Sequence, residues 1–286
     1  MERLLIIGCG DIARRAIPLL GKHYRLYALV RSGALRAGLR AQGVTPILGD
    51  LDDRRQISRL AGLADVVLHL APPPNAGERD PRTRRLLAAL AHATPPKRLV
   101  YISTSGVYGD CGGASVSETH PLHPQTARAR RRADAERQIR AWATRNRVSA
   151  SILRVPGIYA QDRLPLERLR AGMSSIVAEE DSYTNHIHAD DLARILVAAM
   201  RHGRPNRVYH ASDDSESKMG DYFDAVADAH RLPRPQRITR AEAQRSSPEA
   251  LLSFMNESRR LTNERLKDEL KVRLRYPTVA DLLARD

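Results

Sequence analysis

The opening of the chain constrains its fold more than any later stretch. In RLLIIGCGDIARRAI (3–17) an apolar run at 4–7 leads directly into Gly8, Gly10 and Ala13, and a helical pattern follows. Gly8 permits a tight turn and Gly10 lets the backbone approach a diphosphate closely. Small Ala13 lets the helix pack on the strand while the first-turn amides of Asp11 and Ile12 face the anion, which makes both expected cofactor-binding residues. A glycine pattern alone is weak evidence, and a mere tight turn is the competing reading. The strand before it and the helix after it give this one its force.

Further along, short apolar runs alternate with amphipathic stretches as far as residue 155, the pattern of a parallel sheet covered by helices. Strands are expected at 4–7, 25–30, 45–48, 65–70, 98–103 and 149–153, and helices at 12–20, 54–60, 81–93 and 126–145. In the last helix Ile139, Trp142 and Ala143 fall at helical spacing and give it a face for the sheet. The expected fold class is α/β, a Rossmann-type doubly wound parallel sheet with a smaller, mainly C-terminal α+β substrate lobe. On this reading residues 1–155 form the nucleotide-binding domain, 184–212 return to it, and 156–286 mainly build the lobe. Asp190 or Asp191 is expected to cap a helix running to Met200, with a strand at 207–211. From Ser215 the chain reads as helices separated by Pro233, Pro235, Pro248 and Pro277.

Composition narrows the partners. The net charge is +14, yet lysine occurs only at 22, 97, 218, 267 and 271, so arginine dispersed along the chain carries the charge. Dispersal of that kind resembles a compositional bias more than a binding stripe, and aromatic residues, at 4%, offer few platforms for stacking bases. No nucleic-acid partner is expected; a steep salt dependence of binding would reveal one. Cys9 and Cys111 make no metal-type spacing, no apolar run approaches the roughly 20 residues of a membrane span, and LLII is too short for a signal segment. A cytoplasmic protein with no membrane partner is expected.

After the second strand the chain reads ALVRSGALR, so Arg31, Ser32 and Arg36 occupy the place where an NAD site offers an acid to the ribose hydroxyls. Cations there suit a 2′-phosphate, which favours NADP while leaving NAD possible. A solvated surface arginine is the alternative. Asp50 and Leu51, after the third strand, sit where a carboxylate could accept from the adenine amino group or cap the next helix.

These residues, together with YISTSGVYGD from Tyr101, NHIHADDLA from Asn185 and VYHASDD from Val208, resemble the extended short-chain dehydrogenase/reductase superfamily, the NAD-dependent epimerase/dehydratase group. The resemblance runs over nearly the whole chain. It implies a cofactor passing over Leu70, Ala71 and Pro72, with Ser103 and Pro156 near it, and a homodimer is common among similar proteins. Active-site chemistry in that group uses a Ser or Thr after the fifth strand and a Tyr-x-x-x-Lys pair on the next long helix, the Lys lowering the Tyr pKa. Thr104 matches the hydroxyl, with Ser105 as a neighbouring substitute. The pair is missing: no Tyr lies between Tyr108 and Tyr159, and no Lys between Lys97 and Lys218. Counting back from Glu136, Arg128 stands at the Tyr place and Arg132 at the Lys place. Arginine stays protonated and cannot relay a proton as tyrosine does, but it binds anions well. The competing account of ARARRRA is a solvated helix face.

Tyr159, Asn185 and His186 are the expected substrate-lining residues, Tyr159 being a candidate displaced proton donor. The His186, His188, Asp190, Asp191 group invites a metal, but a strand running into a helix accounts for it more simply, and no metal is expected. His69 reads as a satisfied strand-end histidine. The chain is thus expected to be an NAD(P)-binding oxidoreductase or epimerase/dehydratase-like enzyme with an atypical active site and a small-molecule substrate. The alternative is a catalytically silent NADP-binding sensor or scaffold.

Overall fold

A computed structural model describes residues 1–246, 252 and 255–284. In chain order the first half forms β1 (Glu2–Ile7), α1 (Asp11–Leu20), β2 (Tyr24–Val30), α2 (Arg36–Ala41), β3 (Val44–Leu48), α3 (Arg54–Ile57), β4 (Val66–His69), α4 (Pro81–Leu90), β5 (Arg98–Thr104), β6 (Ser115–Val116), α5 (Ala127–Asn146) and β7 (Ser149–Val155). The second half forms β8 (Gly157–Tyr159), α6 (Leu166–Arg170), β9 (Ser175–Ile176), β10 (His186–His188), α7 (Ala189–His202), β11 (Arg207–His210), α8 (Met219–Ala229), β12 (Arg237–Ile238), α9 (Arg240–Ser246), β13 (Arg260–Leu261), α10 (Glu264–Asp268) and α11 (Val279–Leu283).

Seven strands make one parallel sheet in the order β3-β2-β1-β4-β5-β7-β11. The order reverses at β1, so the crossovers to β2 and β4 leave on opposite sides and open a crevice at the strand ends. Alternation along β1 sorts its side chains onto two cores. Leu4 and Ile6 pack with Ala13, Ile17 and Leu20 of α1 and Leu192 and Leu196 of α7. Leu5 and Ile7 pack with Leu86 and Leu90 of α4 and Ile139 and Trp142 of α5. A strand buried on both faces reads as a continuous apolar run, which is why its sequence shows no period of two. Each such aliphatic side chain contributes on the order of 1.5–3 kcal/mol through burial.

The doubly wound parallel sheet is the fold class the sequence implied. Element ends moved by a few residues: the 54–60 helix is one α-turn followed by a 3₁₀ turn at Ser58–Leu60, and β7 extends to Val155. The cap of α7 differs in kind. His188, not either aspartate, accepts from the Asp190 N–H through Nδ1 (3.2 Å). Asp191 is fully buried and accepts from the Arg275 and Tyr276 amides at 2.8 and 2.9 Å, so it ties the C-terminal segment to α7. After Ser215 the chain is not helices alone. β12 and β13 pair in parallel with β9 and β6, in two-residue ladders too short to leave a periodic signal. Pro248 lies outside the described residues.

Candidate functional site

At the end of β1, Gly8 takes φ +95°, and a Cβ there would lie 2.5 Å from Ala71 N and 2.7 Å from Ala71 Cα. The chain turns hard against the end of β4, where Leu70 N–H donates to Ile7 O (2.8 Å). Gly10 is different: it is the N-cap of α1, with ordinary φ −85°, and a Cβ there would meet nothing within 4 Å. Gly8 answers to the fold, whereas Gly10 keeps a space open in front of first-turn amides that no helical carbonyl can reach.

That space belongs to a cleft of about 910 Å³. The cleft is lined by Gly8, Gly10, Asp11, Ile12, Arg31, Ser32, Asp50, Leu51, Leu70, Ala71 and Pro72 of the expected cofactor set, and by Arg132. Arg36, Ser103 and Pro156 are not in its lining. Arg36 begins α2, exposed at the surface, and Ser103 is buried, donating to Glu136 Oε1 at 2.6 Å. Burial pushes the Cys9 thiol up, so it stays protonated as a small member of the loop. Ser32 Oγ caps the next 3₁₀ turn by accepting from Ala34 N–H, and Asp50 Oδ1 accepts from Asp52 N–H.

Arg82 and Arg163 also line the cleft, and sequence reasoning singled out neither. Arg82, in the first turn of α4, is held by Asp52 (2.6 Å) and reaches the Pro72 and Pro73 carbonyls at 3.4 Å. Arg163 follows β8 in a 3₁₀ turn and pairs with Asp11 (2.9 Å). No local signal marks either arginine in so arginine-rich a chain.

At the β5 end Thr104 Oγ1 accepts from Gly106 N–H (3.2 Å), and Ser105 is buried. Arg132 Nη1 donates to Ile102 O (2.7 Å) and Tyr101 Oη (3.0 Å), its guanidinium over the Tyr101 ring. Arg131 is buried and donates to Gly77 O, while Arg130 pairs with Glu78. The 128–132 run is therefore no uniformly solvated face. Burial lowers the Arg128 pKa; Glu257 opposes this, and the charges of Arg132, Arg131 and Arg259 add to it. A Cβ on Gly106 would lie 3.6 Å from Thr104 Oγ1 and 3.7 Å from Glu257 Oε2, so the C-terminal segment reaches the Thr104 turn. Glu257 is itself paired with Arg259 (2.8 Å). More than 110 residues separate these two from the end of α5 at Asn146, and nothing local in the sequence joins them.

Of the expected substrate residues, none lines this cleft. Asn185 donates to Arg259 O and accepts from Leu261 N–H, so both ends of its amide fasten β13. His186 is buried against the Tyr222 ring, and burial pushes its pKa down to about 4, leaving it neutral. Tyr159 is 1% exposed, edge-on to His188, and burial, with Asp213 beside it, raises its phenol well above the ordinary range. His69, bonded to Thr83 Oγ1 at 2.8 Å, is pushed down to about 3 by burial and is neutral.

Asp213 carries a pH consequence. Burial pushes its carboxyl up to about 7, against bonds from Ser215 and Tyr159. In the unfolded chain the group ionises near pH ~4. Between those values the unfolded chain has lost the proton and the folded one retains it, so this contribution is complete below the lower value and is lost as pH rises through the upper. We expect Tm to fall across that window and Asp213→Asn to flatten the fall; an identical slope in the variant would assign the effect elsewhere.

Among the described residues no cluster of His, Cys, Asp and Glu could hold a metal ion, and no helix is long and apolar enough to cross a membrane. A helix-flanked parallel sheet with a glycine turn opening a cleft at its switch point defines a Rossmann-type α/β fold. The chain belongs to the NAD dependent epimerase/dehydratase family, whose model matches residues 10–212. A solved structure of a functionally unknown conserved protein from Silicibacter pomeroyi DSS is 30% identical, with TM-score 0.80 over 99% of this chain and 97% of that one. The dTDP-glucose 4,6-dehydratase DesIV double mutant from Streptomyces venezuelae, with NAD and DAU bound, shares the fold at 22% identity, TM-score 0.79, over 99% and 95% of the two chains. Human dTDP-D-glucose 4,6-dehydratase is 22% identical over 248 residues, 76% of this chain and 71% of that protein.

Proposed function

We propose that this protein binds NADP in preference to NAD in the cleft and carries out oxidoreductase or epimerase-type chemistry on a small molecule, with an active site that lacks the usual Tyr-x-x-x-Lys pair. The observation that carries this reading is the open space at Gly10 in front of the α1 amides. The residues present fit a dinucleotide: the Asp11 and Ile12 amides would hold its diphosphate, Arg31 and Ser32 its adenosine ribose, and Asp50 and Leu51 its adenine, with Leu70, Ala71 and Pro72 as the floor. When bound, the nicotinamide supplies hydride exchange.

Arg132, fixed by Ile102 O, lines the cleft, whereas Thr104 and the buried Ser105 carry their hydroxyls at the adjoining β5 end, outside the lining. As guanidiniums, Arg128 and Arg132 would hold an anionic group of the substrate by paired N–H donors rather than relay a proton. Residues 1–155 with 184–212 act as the cofactor domain, and 156–286 mainly shape the substrate pocket. The dehydratase relatives' names point to small sugar-type substrates.

Titration calorimetry with NADP(H) and NAD(H) tests this reading, which fails if neither cofactor binds saturably. Arg31→Ala is expected to weaken NADP binding about tenfold, on the order of 1.4 kcal/mol for one charge-assisted contact, while NAD changes little. Equal losses for both cofactors would remove Arg31 as the selector of the 2′-phosphate. Turnover of cofactor with a panel of carbonyl and sugar-nucleotide compounds separates an enzyme from a silent binder.

A further inference from the structure

Asp11 places a carboxylate in the first turn of the helix whose N-terminus faces the Gly10 space. Such an end attracts negative charge, and an incoming diphosphate competes for the same field. Two guanidiniums answer Asp11: Arg15 Nε at 3.0 Å and Arg163 Nη1 at 2.9 Å. Burial would raise the Asp11 pKa, but Arg163 and Arg15 outweigh it and hold the carboxyl below its usual range.

The two arginines are not equivalent. Arg15 is also gripped by Asp162 and Asp190, each at 2.8 Å, and does not line the cleft. Arg163 has Asp11 as its ion-pair partner among the described residues, keeps 37% of its side chain exposed, and lines the cleft. If Arg163 left, Asp11 would still have Arg15. An ion pair between two half-exposed side chains is weak in water, whereas a guanidinium bonded to phosphate oxygens in a cleft is among the stronger charge-assisted contacts. Arg163 also lies a few residues beyond β8, whose Ile158 lines the same cleft, so its position is tied to the second half of the chain.

We propose that Arg163 is a transferable counter-ion, paired with Asp11 while the cleft is open and turned to the diphosphate bridge when the cleft fills, so that the loop after β8 closes as a clasp. This deepens the dinucleotide reading above and rests on it. The test is calorimetry on the full chain with three probes: NADP⁺, ADP-ribose, and adenosine 2′,5′-bisphosphate, which lacks the diphosphate bridge. Arg163→Gln is expected to weaken NADP⁺ and ADP-ribose about tenfold and leave the bisphosphate within about twofold, with Arg163→Lys partly restoring the loss. Asp11→Asn should tighten the two diphosphate ligands severalfold, because it removes the competing anion. Thermal melting of each variant separates loss of fold from loss of ligand. Wild-type affinity for NADP⁺ in Arg163→Gln overturns the clasp, as does an equal loss for all three probes in a variant that melts normally. A wild-type protein that binds none of the three instead overturns the cofactor reading beneath it.

Discussion

Replacing Gly10 with valine is expected to abolish NADP binding, a loss of at least a hundredfold, on the order of 3 kcal/mol, in a protein that still folds. The Gly10 backbone (φ −85°, ψ −161°) is open to any L-residue, and its Cβ would meet no atom within 4 Å. The folded protein therefore loses only the difference between glycine and valine as an N-cap, about 1 kcal/mol. The branched side chain would fill the space in front of the α1 amides that a diphosphate needs. Gly8→Ala supplies the contrast. There the Cβ would sit 2.5 Å from Ala71 N at φ +95°, so the loss should appear first in melting temperature. Calorimetry and thermal melting on both variants read the two effects separately. If the Gly10→Val protein binds NADP with unchanged affinity, the loop is not the diphosphate site.

Glu136→Ala is expected to cost about 3–5 kcal/mol of folding stability, the range for removing one partner of a buried ion pair. Glu136 and Arg154 keep only 2% and 4% of their side chains exposed. Glu136 accepts from Arg154 through both oxygens, at 3.2 and 2.7 Å, and from Ser103 Oγ at 2.6 Å. Arg154 in turn donates to Tyr108 Oη and Glu118 O. Truncating the acid strands a guanidinium in the interior beneath the β5 end that carries Thr104. The combined Glu136→Leu, Arg154→Met variant should recover most of the loss, because it removes both charges together. Urea unfolding of the three proteins decides the matter: a single variant within 1 kcal/mol of wild type would show that the pair is not what holds β5, α5 and β7 together.

Much of this molecule was legible along the chain. The glycine turn, the apolar runs of the central strands and the Ile139, Trp142, Ala143 face of α5 are local patterns, and local patterns dictate backbone conformation and which side faces inward. Most of the cleft's lining follows, since residues just after parallel strands meet at the switch point of such a sheet. The cap of α7 is His188 and not the expected aspartate, because sequence preference favours Asp at an N-cap and gives no reason to pick a histidine. Only the packed path of the C-terminal segment shows that Asp191 is already committed to the Arg275 and Tyr276 amides.

The sequence by itself determined the α/β class, the turn at Gly8 and Gly10 and the absence of a Tyr-Lys pair on α5, because each rests on neighbouring residues. Tertiary structure alone decided which of many arginines matter: Arg82 and Arg163 enter the cleft, Arg163 faces Asp11 from 152 residues away, and Glu257 reaches the Thr104 turn. Charge pairing acts through space over a few ångströms, and the approach of residues that far apart depends on how loops and the second half of the chain fold back.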